Sequence, residues 1–114
     1  IATNPKYIIL DEPTAGQDKR GIEVLARMIE VLQENGVATV TITHDMEFAV
    51  SHFPRVIAMA HKNILVDGSS QDVFWNDAVV AEAKIKKPVI AELADKIGVE
   101  GQILFCEDLV AKLP

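Results

Sequence analysis

The stretch Tyr7-Ile8-Ile9-Leu10-Asp11-Glu12-Pro13-Thr14-Ala15-Gly16-Gln17-Asp18 decides the fold. An apolar run ends abruptly in two adjacent carboxylates, and a Pro/Gly turn leads to a third. A run of this length bounded by turn signals reads as a strand over 7–11, buried on both faces. Desolvating an unpaired carboxylate is costly, so a buried strand that ends in Asp11-Glu12 asks for a partner. A metal ion with a water nucleophile is one answer. A solvated turn is the plainer one.

Outward from that stretch, strand and helix signals alternate. Residues 1–6 read as a helix end and loop closed by Asn4-Pro5. Asp18 can cap a helix over 19–34, whose Ile22, Leu25, Ile29 and Leu32 form one apolar stripe. Asn35-Gly36 stops it. The β-branched run from Val37 to Thr43 reads as a second strand. Strand, helix and strand in succession imply a right-handed parallel crossover. His44-Asp45 follows at once, with Asp45 placed to cap a short helix over 46–52.

Arg55 to Ala60 and Ile64 to Asp67 read as an antiparallel hairpin turning at Lys62-Asn63, and Ser69 to Asp72 starts another helix. The remainder, 78–114, is mixed: a basic stretch from Lys84 to Lys87, a helix over 89–97 stopped by Gly98, an extended Ile103-Leu104-Phe105 and a last short helix over 107–113.

The candidate chemistry lies where the first two strands end. In open α/β sheets, ligands bind outside the carboxyl ends of the strands, and Asp11, Glu12 and His44 all fall there. Asp11 can hold Mg²⁺, a hard cation that takes oxygen ligands and keeps several waters. Glu12 can orient and deprotonate a water that attacks a γ-phosphate, a reaction needing mainly positioning and charge stabilisation. His44 can donate to that phosphate. Each has a plain structural alternative: a strand-end histidine is often only structural, and Asp45 and Asp18 can be helix caps. Lys84, Lys86 and Lys87 read as a solvated face, and His52 and His61 as surface or helix-end residues.

With these residues in place, the chain resembles the nucleotide-binding domain of ATP-binding-cassette (ABC) ATPases. Ile8 to Glu12 look like the Walker B strand, Pro13 to Asp18 like the D-loop, and Thr43-His44-Asp45 like the switch-histidine segment. The resemblance implies Asp11 for Mg²⁺, Glu12 and His44 as catalytic residues, and Asp18 near ATP across a dimer interface. Arg55 to Gly68 looks like the family's following hairpin. Ser69 to Trp75 looks like its next helix, with Ser70 where Pro is common. Gln17 departs from the usual Leu of the D-loop. The tail, through Pro88-Val89-Ile90, Leu93-Ala94, Ile97-Gly98 and Leu109-Val110, is similar to that of energy-coupling-factor ATPases, which drive import of vitamins or metal ions.

The resemblance implies an α/β fold: a partial P-loop NTPase (RecA-like) parallel sheet with flanking helices, a C-terminal β-hairpin and a small helical or mixed tail. Residues 1–77 are then the C-terminal part of the ATPase core and 78–114 an extension. The cofactors implied are ATP and Mg²⁺. The partners implied are a second ATPase subunit, transmembrane transporter subunits and the missing N-terminal half of the same domain. The expected place is the cytoplasmic face of the cell membrane, as a peripheral subunit.

The sequence contains neither a Gly-x-x-x-x-Gly-Lys-[Ser/Thr] phosphate loop nor the Leu-Ser-Gly-Gly-Gln signature. A fragment of this kind is expected to bind ATP weakly and to hydrolyse it negligibly alone. The family's phosphate-loop strand would lie between the second and third strands. Its absence predicts either pairing of those two or a second chain between them. Two alternatives are a DNA-maintenance ATPase of the same superfamily and a non-catalytic module for subunit contacts.

Composition narrows the choice. The chain has 114 residues, 49% of them hydrophobic, and a formal net charge of −6. That acidic balance argues against a nucleic-acid partner. No apolar run approaches a membrane span, and no basic-then-apolar leader opens the chain. The single cysteine, Cys106, excludes an internal disulfide and reads as a small core residue.

Overall fold

The computed structural model describes residues 4–114. The first three, part of the predicted helix end, lie outside the described residues. Two compact units divide the chain, 1–45 and 46–114.

In the first unit, β1 (Tyr7–Asp11) and β2 (Ala38–Ile42) pair in parallel, with Tyr7 opposite Ala38 and Asp11 opposite Ile42. Helix α1 (Lys19–Glu34) connects them. The parallel crossover follows from chain geometry, because two parallel strands need a long connection. The predicted stripe is the packed one: Ile29 and Ala26 are buried, and Ile22, Leu25 and Leu32 half-buried. A hydrogen bond of 3.2 Å from Gln33 Nε2 to Thr39 Oγ1 ties the end of α1 to β2. The helix stops at Asn35, followed by Gly36 at φ 77°.

The expectation of a strand buried on both faces is corrected. Burial alternates along β1 and β2, and Tyr7, Ile9, Val40 and Ile42 share an exposed face with Asp11. One helix covers only one face of a two-stranded sheet, so every second side chain of the apolar run stays open. The continuous run signalled apolar surface on both faces, not what covers it.

The second unit starts with α2 (Met46–His52), whose Phe48 lies against His52 with ring centroids 4.7 Å apart. β3 (Val56–Ala60) and β4 (Asn63–Gly68) form an antiparallel hairpin with an irregularity between Ala58 and Met59. Its turn lies one residue earlier than predicted. His61 and Lys62 carry the positive φ values, 50° and 64°, and Asn63 closes the ladder opposite Ala60. Asn63 contributes through its side chain instead, donating from Nδ2 to the His61 carbonyl at 3.1 Å. Among the described residues, β2 pairs with β1 and β3 with β4, and no β2–β3 pairing is present.

Helix α3 (Ser70–Phe74) opens on a capping box in which Ser69 and Asp72 each satisfy the other's backbone N–H. Its Val73 and Phe74 are fully buried in a core with Val50, Ala58, Val79, Ala91 and Leu104. Helix α4 (Asp77–Ala83), absent from the sequence reading, is capped by Asn76. Helix α5 (Val89–Ile97) ends at Gly98, and α6 (Cys106–Lys112) follows. A smaller cluster of Ala94, Ile103 and Leu109 joins these last two helices.

Three further expectations are corrected here. Residues 103–105 form no strand; Ile103 and Leu104 are buried as loop residues, and the Ile103 carbonyl accepts from Trp75 Nε1 at 3.2 Å. Cys106 is exposed, because it opens α6 just beyond the point where the chain leaves the core. Lys87 is no solvated cation. Its side chain is only 10% exposed, held by Asp77 at 2.9 Å and Asp95 at 3.3 Å, with its ammonium 4.7 Å from the Trp75 ring. Lys84 and Lys86 are exposed as expected.

Candidate functional site

Glu12 is built into a strained turn at the end of β1. Its φ is 45°, a conformation that costs energy in a residue with a side chain. The backbone around it is fully tied. The Glu12 N–H extends the ladder to the Ile42 carbonyl at 2.8 Å, and its own carbonyl accepts from Ala15 N–H at 3.1 Å. A second turn runs from Thr14 to Gln17, with Thr14 buried and Gly16 at φ 71°. The loop therefore enters α1 at a set angle, and Asp18 caps the helix by accepting from Gly21 N–H at 2.7 Å.

His44 comes to the same place from β2. The two residues are 32 positions apart in sequence, yet Glu12 Oε1 pairs with His44 Nδ1 and Glu12 Oε2 accepts from the His44 backbone N–H at 3.3 Å. A carboxylate can only accept, so Nδ1 carries the proton in this pairing and Nε2 is the free ring nitrogen. The loop between β2 and α2 is braced by Asp45 N–H donating to Thr43 Oγ1 at 2.9 Å. The His44 side chain is 91% exposed and that of Glu12 37%. Both are therefore open to a ligand from solvent.

Asp11 stands opposite Ile42 on the open face of the sheet, and is exposed. Among the described residues, no group of three or more His, Cys, Asp or Glu side chains could hold a metal ion. A single exposed carboxylate suits Mg²⁺, which binds through one or two carboxylates together with waters and substrate phosphates. It does not suit a cation that needs a protein cage.

Of the four residues singled out from sequence, the structure joins Glu12 and His44 directly and sets Asp11 beside them on β1. Asp18 is engaged locally as a cap. A groove of about 420 Å³ does run past Asp18, lined by Pro13, Gln17, Gly21, Val24 and Met28 among others, but Asp11, Glu12 and His44 do not line it. The exposed Glu12–His44 pair at the strand ends lies outside this groove. The direct bonds between Glu12 and His44 had no sequence signal, because only the parallel register brings these positions together.

No protein-family model matches the chain. Curated relatives do. A Methanosarcina acetivorans protein named as an ABC transporter ATP-binding protein is 33% identical over 100 residues, which is 88% of this chain and 15% of the relative. A Vibrio vulnificus protein of the same description is 33% identical over 111 residues, 96% of this chain and 19% of the relative. A Pyrococcus furiosus protein, also so described, is 32% identical over 100 residues and is spanned to 38% of its length. The chain thus corresponds to less than two-fifths of each of these relatives. Among solved structures, CbiO1 of Clostridium perfringens, part of the ABC transporter complex CbiONQ, matches with a TM-score of 0.56. The identity is 29%, over 80% of this chain and 37% of that one. These likenesses agree with the resemblance drawn from the Asp11-Glu12 and His44 motifs.

Proposed function

We propose that this chain is the C-terminal part of an ATP-binding subunit of an ABC-type transporter, of the energy-coupling-factor kind, and that Glu12 and His44 are its catalytic residues. The observation that carries this reading is the pairing of Glu12 with His44 at the carboxyl ends of two parallel strands, with Asp11 one residue away. Relatives described as ABC transporter ATP-binding proteins, and the likeness to CbiO1, support the class.

In the proposed reaction, a water oxygen forms a bond to the γ-phosphorus of ATP while the bond from that phosphorus to the bridging oxygen breaks. Glu12 orients the water and takes its proton. His44, held through Nδ1, turns Nε2 toward the γ-phosphate and, when protonated, donates to it. Mg²⁺, held through Asp11, supplies charge neutralisation on the phosphates. Asp18, at the end of its turn, is proposed to meet ATP across the dimer interface. Nothing in this step needs an enclosed pocket from these residues, since phosphoryl transfer depends mainly on positioning and charge.

The core is proposed to cover residues 1–77 within a RecA-like parallel sheet, with 78–114 as an extension. A second ATPase subunit and transmembrane subunits complete the assembly at the cytoplasmic face of the membrane, with a vitamin or metal ion as cargo. No helix among the described residues is long and apolar enough to cross a membrane.

The test is a chimera in which residues 4–77 replace the corresponding segment of C. perfringens CbiO1. The chimera should hydrolyse Mg²⁺-ATP, and Glu12→Gln should lower its turnover about 100-fold or more while ATP still binds. A folded, ATP-binding chimera whose turnover is indifferent to Glu12→Gln overturns the assignment.

A further inference from the structure

The ring of His44 is aimed without a packed wall, since its side chain is 91% exposed. It also stands beyond the end of β2, past the last ladder bond from the Glu12 N–H to the Ile42 carbonyl. Its direction must come from its own backbone and from what the ring meets. A side chain leaves the backbone along Cα–Cβ, and that direction is set once the planar peptides before and after it are set. At His44 both peptides are held. The one before it donates its N–H to Glu12 Oε2 at 3.3 Å. The one after it donates the Asp45 N–H to Thr43 Oγ1 at 2.9 Å. That second bond is the shorter, and Thr43 is half-buried. Glu12, Thr43, His44 and Asp45 all belong to the first unit.

We infer that Thr43 is a positioning residue for His44: its hydroxyl closes a turn over the histidine and sets the ring where Nδ1 reaches Glu12. Threonine suits this task on two counts. Its β-branch leaves few χ1 rotamers, so the hydroxyl keeps its place. Its oxygen accepts from the N–H two residues on, a local bond made where the ladder of β2 has ended. Valine has the same shape and no acceptor. Without the hydroxyl, the peptide between His44 and Asp45 loses this restraint, and Glu12 is left to hold the histidine through the N–H and the ring. Thr43 meets neither the phosphate nor the attacking water in the proposed reaction and acts only through His44. This role rests on the reading of Glu12 and His44 as the working pair, but not on hydrolysis itself.

The experiment uses the ligand-free chain with Thr43→Val and Thr43→Ser. Thr43→Ala removes the hydroxyl a second way, should valine disturb folding. Water exchange of the Asp45 amide reads the cut bond itself, and exchange of the His44 amide reads the bond to Glu12 Oε2. Nitrogen-15 spectra at neutral pH read the share of His44 rings with the proton on Nδ1. Thr43→Val should speed both amides about fivefold or more and lower the Nδ1–H signal, while amides of the β1–β2 ladder keep their rates. Thr43→Ser, which keeps the hydroxyl, should restore most of each readout. A faster Asp45 amide beside unchanged His44 signals overturns the inference, because the bond is cut and the histidine has not moved. So does an Asp45 amide indifferent to Thr43→Val. Ladder amides that accelerate equally also overturn it, since that is general destabilisation. Failure of the chimera to hydrolyse ATP would leave these readouts intact, so the two proposals fail separately.

Discussion

The Glu12 carboxylate grips His44 twice, taking the backbone N–H on Oε2 at 3.3 Å and the ring Nδ1 on Oε1. The histidine is thereby held in one tautomer although its side chain is largely in solvent. Free imidazole in water is under no such constraint. Glu12→Gln should therefore shift the His44 ring away from the Nδ1–H form without unfolding the chain. Nitrogen-15 spectra at neutral pH check this, and a ring population identical in both proteins counts against the pairing.

The turn that delivers Asp18 depends on Gly16. Its φ is 71°, and a Cβ built there meets nothing within 4 Å. Gly16→Ala should thus cost about 1 kcal/mol from backbone conformation alone. Gly16→Asn should cost less, since asparagine tolerates the left-handed region better. Urea unfolding of the two variants measures the difference. Equal costs would mean that crowding, not φ, governs the position.

Lys87 links α4 and α5 through Asp77 and Asp95 and lies over Trp75. Lys87→Met keeps most of the stem and removes the charge. The loss should be only about 1 kcal/mol, because Asp77 and Asp95 are 88% and 60% exposed and water screens them. Thermal melts followed by Trp75 fluorescence test it. A loss several times larger would mean a more deeply buried ion pair.

Acid and alkali should act on different groups of the second unit. Hydrogen bonding and charge from Arg55 hold Asp67 below the ordinary 3.8, and hydrogen bonds from Ser69 do the same for Asp72. A depressed folded value gives stability that is complete above the unfolded value and is lost as pH falls through the folded one. Asp77, and after it Asp95, raises Lys87 above the ordinary 10.5, against some desolvation. That contribution is complete below 10.5 and disappears as pH rises through the folded value. Urea midpoints should fall below about pH 4 and above about pH 10.5. Asp67→Asn should flatten the acid limb, and Lys87→Met the alkaline one. An acid limb unchanged by Asp67→Asn would remove the Arg55 pair as its cause.

The open face of the β1–β2 sheet predicts association. Tyr7 and Ile9 are 72% and 70% exposed, beside Val40 and Ile42 on the neighbouring strand. Among the described residues no third strand pairs with this sheet, and contiguous exposed apolar surface beside unpaired edges invites intermolecular contact. The chain should sediment as concentration-dependent oligomers, and Ile9→Lys with Val40→Lys should shift it toward monomer. A monodisperse monomer at high concentration would contradict this.

Much of this protein was legible in the order of its residues. The helical spacing of Ile22, Leu25, Ile29 and Leu32 named the packed face of α1, because a 3.6-residue period is a local property. Asp18, Asn35-Gly36, Ser69 with Asp72, and Gly98 marked helix ends through hydrogen bonds and φ values that span only a few residues. The run into Asp11-Glu12 and the later His44 named the candidate site as residue types. What only the tertiary structure decided is what lies far apart in sequence. The β1–β2 register brought Glu12 to His44, the fold of the second unit carried Glu47 to Val89 and buried Lys87 over Trp75, and the number of covering helices left one sheet face open. Local chemistry specifies turns, caps and periodicity. Which distant groups meet, and which apolar surface finds cover, is set by packing across elements.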